Sequence, residues 1–104
     1  MEIDKHLPID LKPEILTEFC RKNHIKKLSF FGSVLRDDFG PQSDVDILVE
    51  FQPDHVPGLL NLAGMEEELS DLLKRKADIR TVEDLSPYFR QNVINSAEVG
   101  YAEG

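Results

Sequence analysis

From Asp44 to Phe51 the chain reads Asp-Val-Asp-Ile-Leu-Val-Glu-Phe, an alternation that fits a strand with two unlike faces. Side chains point to opposite sides along a strand. Val45, Ile47, Val49 and Phe51 therefore share one face and suit a core, while Asp44, Asp46, Leu48 and Glu50 share the other. Three of those four are acidic, so the second face is expected to be an open floor. A sheet built around such a strand takes its helices on one side only.

The flanking segments agree with that plan. The first eleven residues read as a lead-in. A helix is expected over Lys12 to Asn23, with Pro13 in its first turn, where a missing N–H costs nothing, and with Ile15, Leu16, Phe19 and Cys20 forming its apolar stripe. Ile25 to Phe31 reads as a strand ended by Gly32-Ser33, Val34 to Phe39 as a short helix, and Gly40-Pro41-Gln42-Ser43 as a loop. Pro53 and Pro57-Gly58 break the central strand. A long helix is expected from Leu59 to Lys76, its buried stripe supplied by Leu62, Met65, Leu69, Leu72 and Leu73. Glu66, Glu67 and Glu68 early in it and Lys74, Arg75 and Lys76 late complement the helix dipole, which explains both charge runs without a binding role. Ala77 to Thr81 reads as a third strand. A last helix is expected to start near Ser86-Pro87, with Tyr88, Val93, Ile94 and Ala97 as its apolar contacts, and Gly100 to Gly104 as a loose tail. The predicted class is α/β (α+β), a small mixed β-sheet with helices on one face.

The 104 residues are expected to form a single domain, 1–104, with a modest core. Apolar residues at 40% and charged residues at 31% fit a globular chain. No apolar run approaches the roughly 20 residues that span a bilayer, and the polar start lacks a secretory apolar segment. Cys20 is the single cysteine, so an internal disulfide is excluded, in keeping with a reducing cytoplasm. A net charge of −8 disfavours direct binding of nucleic acid and favours a basic partner or bound cations. His6, His24 and His55 are scattered along the chain and are not expected to ligate a metal.

The chemistry concentrates around residues 32–46. Asp44 and Asp46 point the same way, about 6.6 Å apart along the strand, and carboxylates are the ligands magnesium takes alongside substrate phosphates. A third carboxylate from a neighbouring strand would complete a site for two ions about 3.5–4 Å apart, suited to in-line displacement. Asp78 is the candidate, with Arg80 on the same face. Gly32 lets phosphates approach the backbone, Ser33 offers a hydroxyl and N–H groups at a helix start, and Arg36 offers a bidentate cation. Ser43 is read as a loop-shaping residue and Glu50 as solvent-exposed.

Gly32-Ser33, then about ten residues, then Asp44-Val45-Asp46, resembles the signature of the nucleotidyltransferase superfamily, and the length resembles its minimal, polymerase-beta-like members. The similarity covers nearly the whole chain, with Asp78 at the place of the third carboxylate and Arg36 and Ser43 at positions where this group often has Arg and Ser. The resemblance implies an antitoxin of a HEPN toxin–antitoxin pair that transfers AMP from ATP to a tyrosine hydroxyl of its cognate HEPN ribonuclease, silencing it. It implies a hetero-oligomer with that toxin in the cytoplasm. On this reading Asp44, Asp46 and Asp78 hold Mg2+, Asp78 also serving as base, and Gly32, Ser33 and Arg36 hold the nucleotide. Two alternatives stand beside it: a non-catalytic antitoxin that masks the toxin sterically, and a nucleotidyltransferase acting on a small molecule.

Overall fold

The computed structural model describes residues 11–32 and 43–103. In chain order they form α1 (Pro13–Lys22), β1 (Ile25–Phe31), β2 (Val45–Phe51), α2 (Leu59–Leu73), β3 (Ala77–Arg80), α3 (Arg90–Ser96) and β4 (Glu98–Ala102). The short helix expected over Val34 to Phe39 lies outside the described residues, as do Ser33 and Arg36. One mixed sheet runs in the order β3-β2-β1-β4. β1 is antiparallel to β2 and β4, and β2 is parallel to β3.

The alternation in β2 has the expected result. Val45, Ile47 and Val49 are buried with Leu28 and Phe30 of β1 and Ala77 and Ile79 of β3. α1 adds Leu16, Phe19 and Cys20, and α2 adds Met65, Leu69 and Leu73 to the same cluster. Burial pushes the Cys20 thiol up to about 12, so it stays neutral and acts as a small apolar core residue. Ile15, placed in the stripe by its spacing, instead faces out. The floor is narrower than the acidic pattern suggests: Leu48 is 6% exposed and Ser29, its partner on β1, 4%. β2 has strands on both sides, and cross-strand neighbours shield a central residue that the local pattern marks as open.

Three boundaries differ from expectation, each for a local reason. α2 stops at Leu73 rather than near Lys76, because Lys74 takes a left-handed conformation (φ 56°) and its N–H closes onto the Ser70 carbonyl. α3 starts at Arg90 rather than near Ser86-Pro87. The Ser86 carbonyl accepts the N–H groups of Phe89 and Arg90, at 3.0 and 2.9 Å, in a turn that precedes the helix. The expected loose tail is β4, paired with β1 from Lys27↔Ala102 to Phe30↔Glu98. While α1 and α2 cover the core face, α3 buries none of its residues and borders the floor side. Among the described residues, no helix is long and apolar enough to cross a membrane.

Gly100 is buried where β4 crosses the core. A Cβ there would stand 2.6 Å from the Phe30 ring and 3.2 Å from Leu16. Both obstacles are fully packed, so neither can give way freely. Gly100→Ala is therefore expected to cost about 1–3 kcal/mol, the usual range for overpacking, read as a lower urea midpoint at unchanged slope.

Candidate active site

Register assembles the site. Phe31 pairs with Asp46 across β1 and β2, and Asp46 pairs with Asp78 across β2 and β3. Cross-strand partners share a face, so Phe31, Asp46 and Asp78 form a row, with neighbouring strands roughly 4.8 Å apart. Asp44 lies two residues before Asp46, just ahead of β2, and is exposed. The N–H of Val45 donates to the Lys76 carbonyl at 2.8 Å, which ties the start of β2 to the entry of β3.

Gly32 ends β1 beside this row. Its φ of +73° lies in the left-handed region, which side chains other than glycine enter at a cost. A Cβ on it would fall 2.3 Å from Oδ2 of Asp46. The backbone therefore comes close to the carboxylate at a point where a side chain would collide with it.

Asp78 is held from two sides. Arg80 Nη2 donates to its Oδ2 at 3.0 Å. That hydrogen bond and the Asp78 charge raise the guanidinium pKa further, with Asp84 and Asp46 adding to the effect and burial opposing it. Asp84 itself caps the turn after β3, accepting from the Thr81 N–H at 3.0 Å and its hydroxyl at 3.1 Å. The strand carrying Asp78 is fixed by α2. β3 lies at the sheet's edge, and its Ala77 and Ile79 N–H groups donate to Ser70 Oγ (2.8 Å) and Glu66 Oε2 (2.7 Å). Glu66 is thus a strand clamp rather than a dipole charge. Its place beside Met65 and Leu69, with Ser70 four residues on, sets both on the flank of the buried stripe, a helical-spacing signal for an inward role.

Among the described residues, no three carboxylate, imidazole or thiol side chains form a ready metal cluster. The donor set of Asp44, Asp46 and Asp78 is nevertheless all hard carboxylate oxygen, the kind magnesium prefers. The Arg80 guanidinium already occupies a cation's place beside Asp78. The residues present therefore fit a divalent ion.

A hollow of about 510 Å³ opens from this row, between Phe31, Gly32 and Asp46 on one side and Phe89, Asn92 and Val93 on the other, with Ser96 at the α3 end. The α3 side of it is absent from the sequence expectations, because nothing local places a helix so far along the chain from Asp46 against it. Elsewhere, His24 and His55 stack with ring centroids 3.8 Å apart, so these two histidines meet in space despite their separation in sequence.

The nucleotidyltransferase domain family matches residues 12–99. The chain belongs to that family. A Methanocaldococcus jannaschii relative, provisionally named protein adenylyltransferase MJ0435, is 34% identical over 76 residues, covering 73% of this chain and 80% of the relative. A solved structure provisionally described as a minimal nucleotidyltransferase superposes with a TM-score of 0.67 at 30% identity, over 82% of this chain and 85% of that one. The fold also matches, with a TM-score of 0.64 at 17% identity, a complex of tri-AMPylated Shewanella oneidensis HEPN toxin with its MNT antitoxin, over 88% of this chain and 70% of that one. The minimal nucleotidyltransferase fold expected from the sequence is the one observed.

Two substitutions test the arrangement. Gly32→Ala drives a methyl group into Asp46 and is expected to lower nucleotidyl transfer about a hundredfold, the usual cost of about 1 Å of misplacement at a reacting centre, in steady-state assays of the folded variant. Glu66→Ala leaves the Ile79 N–H without its acceptor. It is expected to cost about 1.5–3 kcal/mol by urea denaturation and to speed amide exchange at Ile79, with Glu66→Gln losing less.

Proposed function

We propose that this chain is an antitoxin of the minimal nucleotidyltransferase kind, which moves AMP from ATP to a tyrosine hydroxyl of a cognate HEPN toxin. The observation that carries the reading is the register that sets Asp46 beside Asp78 and next to the close-approach Gly32. The adenylyltransferase name of the Methanocaldococcus relative and the AMPylated toxin in the Shewanella complex support the transferred group and the partner.

In the proposed reaction the acceptor oxygen attacks the α-phosphorus of ATP. A P–O bond to the acceptor forms, the bond to the β-phosphate bridging oxygen breaks, and pyrophosphate leaves. Asp44, Asp46 and Asp78 would hold magnesium, which when bound neutralises the triphosphate and acidifies the acceptor hydroxyl. Asp78 takes the acceptor proton. Gly32 gives the phosphates room at the backbone. Ser33 follows it directly and Arg36 four positions on, and both are assigned to the triphosphate on chain position alone. Arg80, two residues after Asp78 on the same face, pairs with that carboxylate and orients it.

The domain spans 1–104, works in the cytoplasm as a hetero-oligomer with its toxin, and binds no nucleic acid directly. The net charge of −8 suits a partner that is basic because it handles RNA.

The test is to incubate the protein with ATP, magnesium and its HEPN partner and to weigh the partner by mass spectrometry. The expected result is added mass in whole AMP units, absent with the Asp44→Asn/Asp46→Asn double variant. Neutralisation of the toxin by that double variant, with no mass change, would replace transfer by steric masking.

A further inference from the structure

The hollow beside Asp46 has walls that the triphosphate chemistry leaves unused. Its sheet side begins at Gly32 and Asp46, where the phosphates are assigned. The rest of the nucleotide, sugar and base, must leave that point in some direction. Among the described residues, the hollows around His24 and His55 and around Phe51 and Val82 touch neither Gly32 nor Asp46. At about 510 Å³ the first hollow falls within the range of small-molecule sites.

Its chemistry is that of a base-binding slot. Phe89, 63% exposed as a residue, lines it, and Phe31 and Val93 extend the apolar wall. A single exposed apolar side chain is ordinary on a protein surface. An exposed ring that also lines a hollow ending at a catalytic-type carboxylate is a stacking face. The Asn92 side chain has no hydrogen bond among the described residues, so its carboxamide presents both a donor and an acceptor. The Ser96 hydroxyl donates to the Asn92 and Val93 carbonyls at 2.9 and 3.4 Å, leaving only its lone pairs for a ligand. Because α3 buries none of its residues, core packing does not dictate these side chains.

We propose that this hollow is the nucleoside subsite, where Phe89 stacks on a purine base and the Asn92 carboxamide pairs with its edge. A carboxamide offers the bidentate match to the N6/N7 edge of adenine, and guanine lacks that amine. The subsite rests on the transferase reading for the position of the phosphates, and it adds a source of adenine preference on α3.

The test compares ATP, GTP and inorganic tripolyphosphate, each with magnesium, by isothermal titration calorimetry. Phe89→Ala is expected to weaken ATP about tenfold, as loss of one stacking face does, and to leave tripolyphosphate unchanged. Phe89→Tyr is expected to keep ATP affinity. Asn92→Ala is expected to reduce the preference for ATP over GTP about tenfold. Circular dichroism checks that these surface variants stay folded. Unchanged ATP affinity in Phe89→Ala, or an equal loss for ATP and tripolyphosphate, overturns the subsite even where the partner is still modified. Selective loss of ATP in Phe89→Ala supports the subsite even where no partner is modified, an outcome that removes the transferase reading alone. A wild-type protein that binds neither ligand overturns both.

Discussion

Two hydrogen bonds from α2 to the outer edge of β3 underlie the arrangement of the floor. β3 is four residues long and has a strand on one side only, the least secure position in a sheet. Glu66 and Ser70 take its free N–H groups, so that edge is covered and its pairing with β2 holds in one register. Register carries unusual weight here. A slip of one residue would turn Asp78 toward the core and Ile79 toward the floor. The helix that fills the core thus also sets the spacing of the acidic row. Packing and chemistry meet in Glu66, which touches neither the core centre nor the floor.

The sequence showed the elements whose pattern is local. β2 alternates apart from Leu48 and β1 alternates over Leu28 to Phe30, α1 carries helical spacing, and Asp44 and Asp46 advertise an acidic face without reference to anything distant. Most of β4 reads as a tail from Gly100 on, because five residues with a glycine in the middle carry little pattern. Gly100 weakens a strand by propensity, and only the nearness of Phe30 and Leu16, more than 65 residues away in sequence, explains it. Ser86-Pro87 has the composition of a helix cap, whereas the chain uses it for a turn ahead of α3. The α3 wall of the hollow was invisible for the same reason as β4: its place depends on a long-range return of the chain. Asp78 lay between these cases, since its strand was legible but its alignment with Asp46 depends on a parallel pairing that sequence does not display.

Membership of the nucleotidyltransferase family and the geometry of the floor bear on each other. A family match over residues 12–99 identifies the scaffold. The row of Phe31, Asp46 and Asp78 and the crowded Gly32 say where on that scaffold this chain concentrates negative charge and close backbone approach. The buried middle of the floor, Leu48 with Ser29, separates the row of Asp46 and Asp78 from the exposed Glu50 further along β2.

The pairing of Arg80 with Asp78 means the acidic zone carries its own counterion. Clustered carboxylates repel one another, and an adjacent guanidinium relieves part of that repulsion while the protein folds. Both side chains are substantially solvent-exposed, and such pairs are worth only about 0–1 kcal/mol. A divalent ion arriving there, as proposed, would exchange with a weakly held positive charge rather than enter a bare field. If ion uptake places an opposite demand on the same carboxylates, a side chain that lets go cheaply reconciles it with folding.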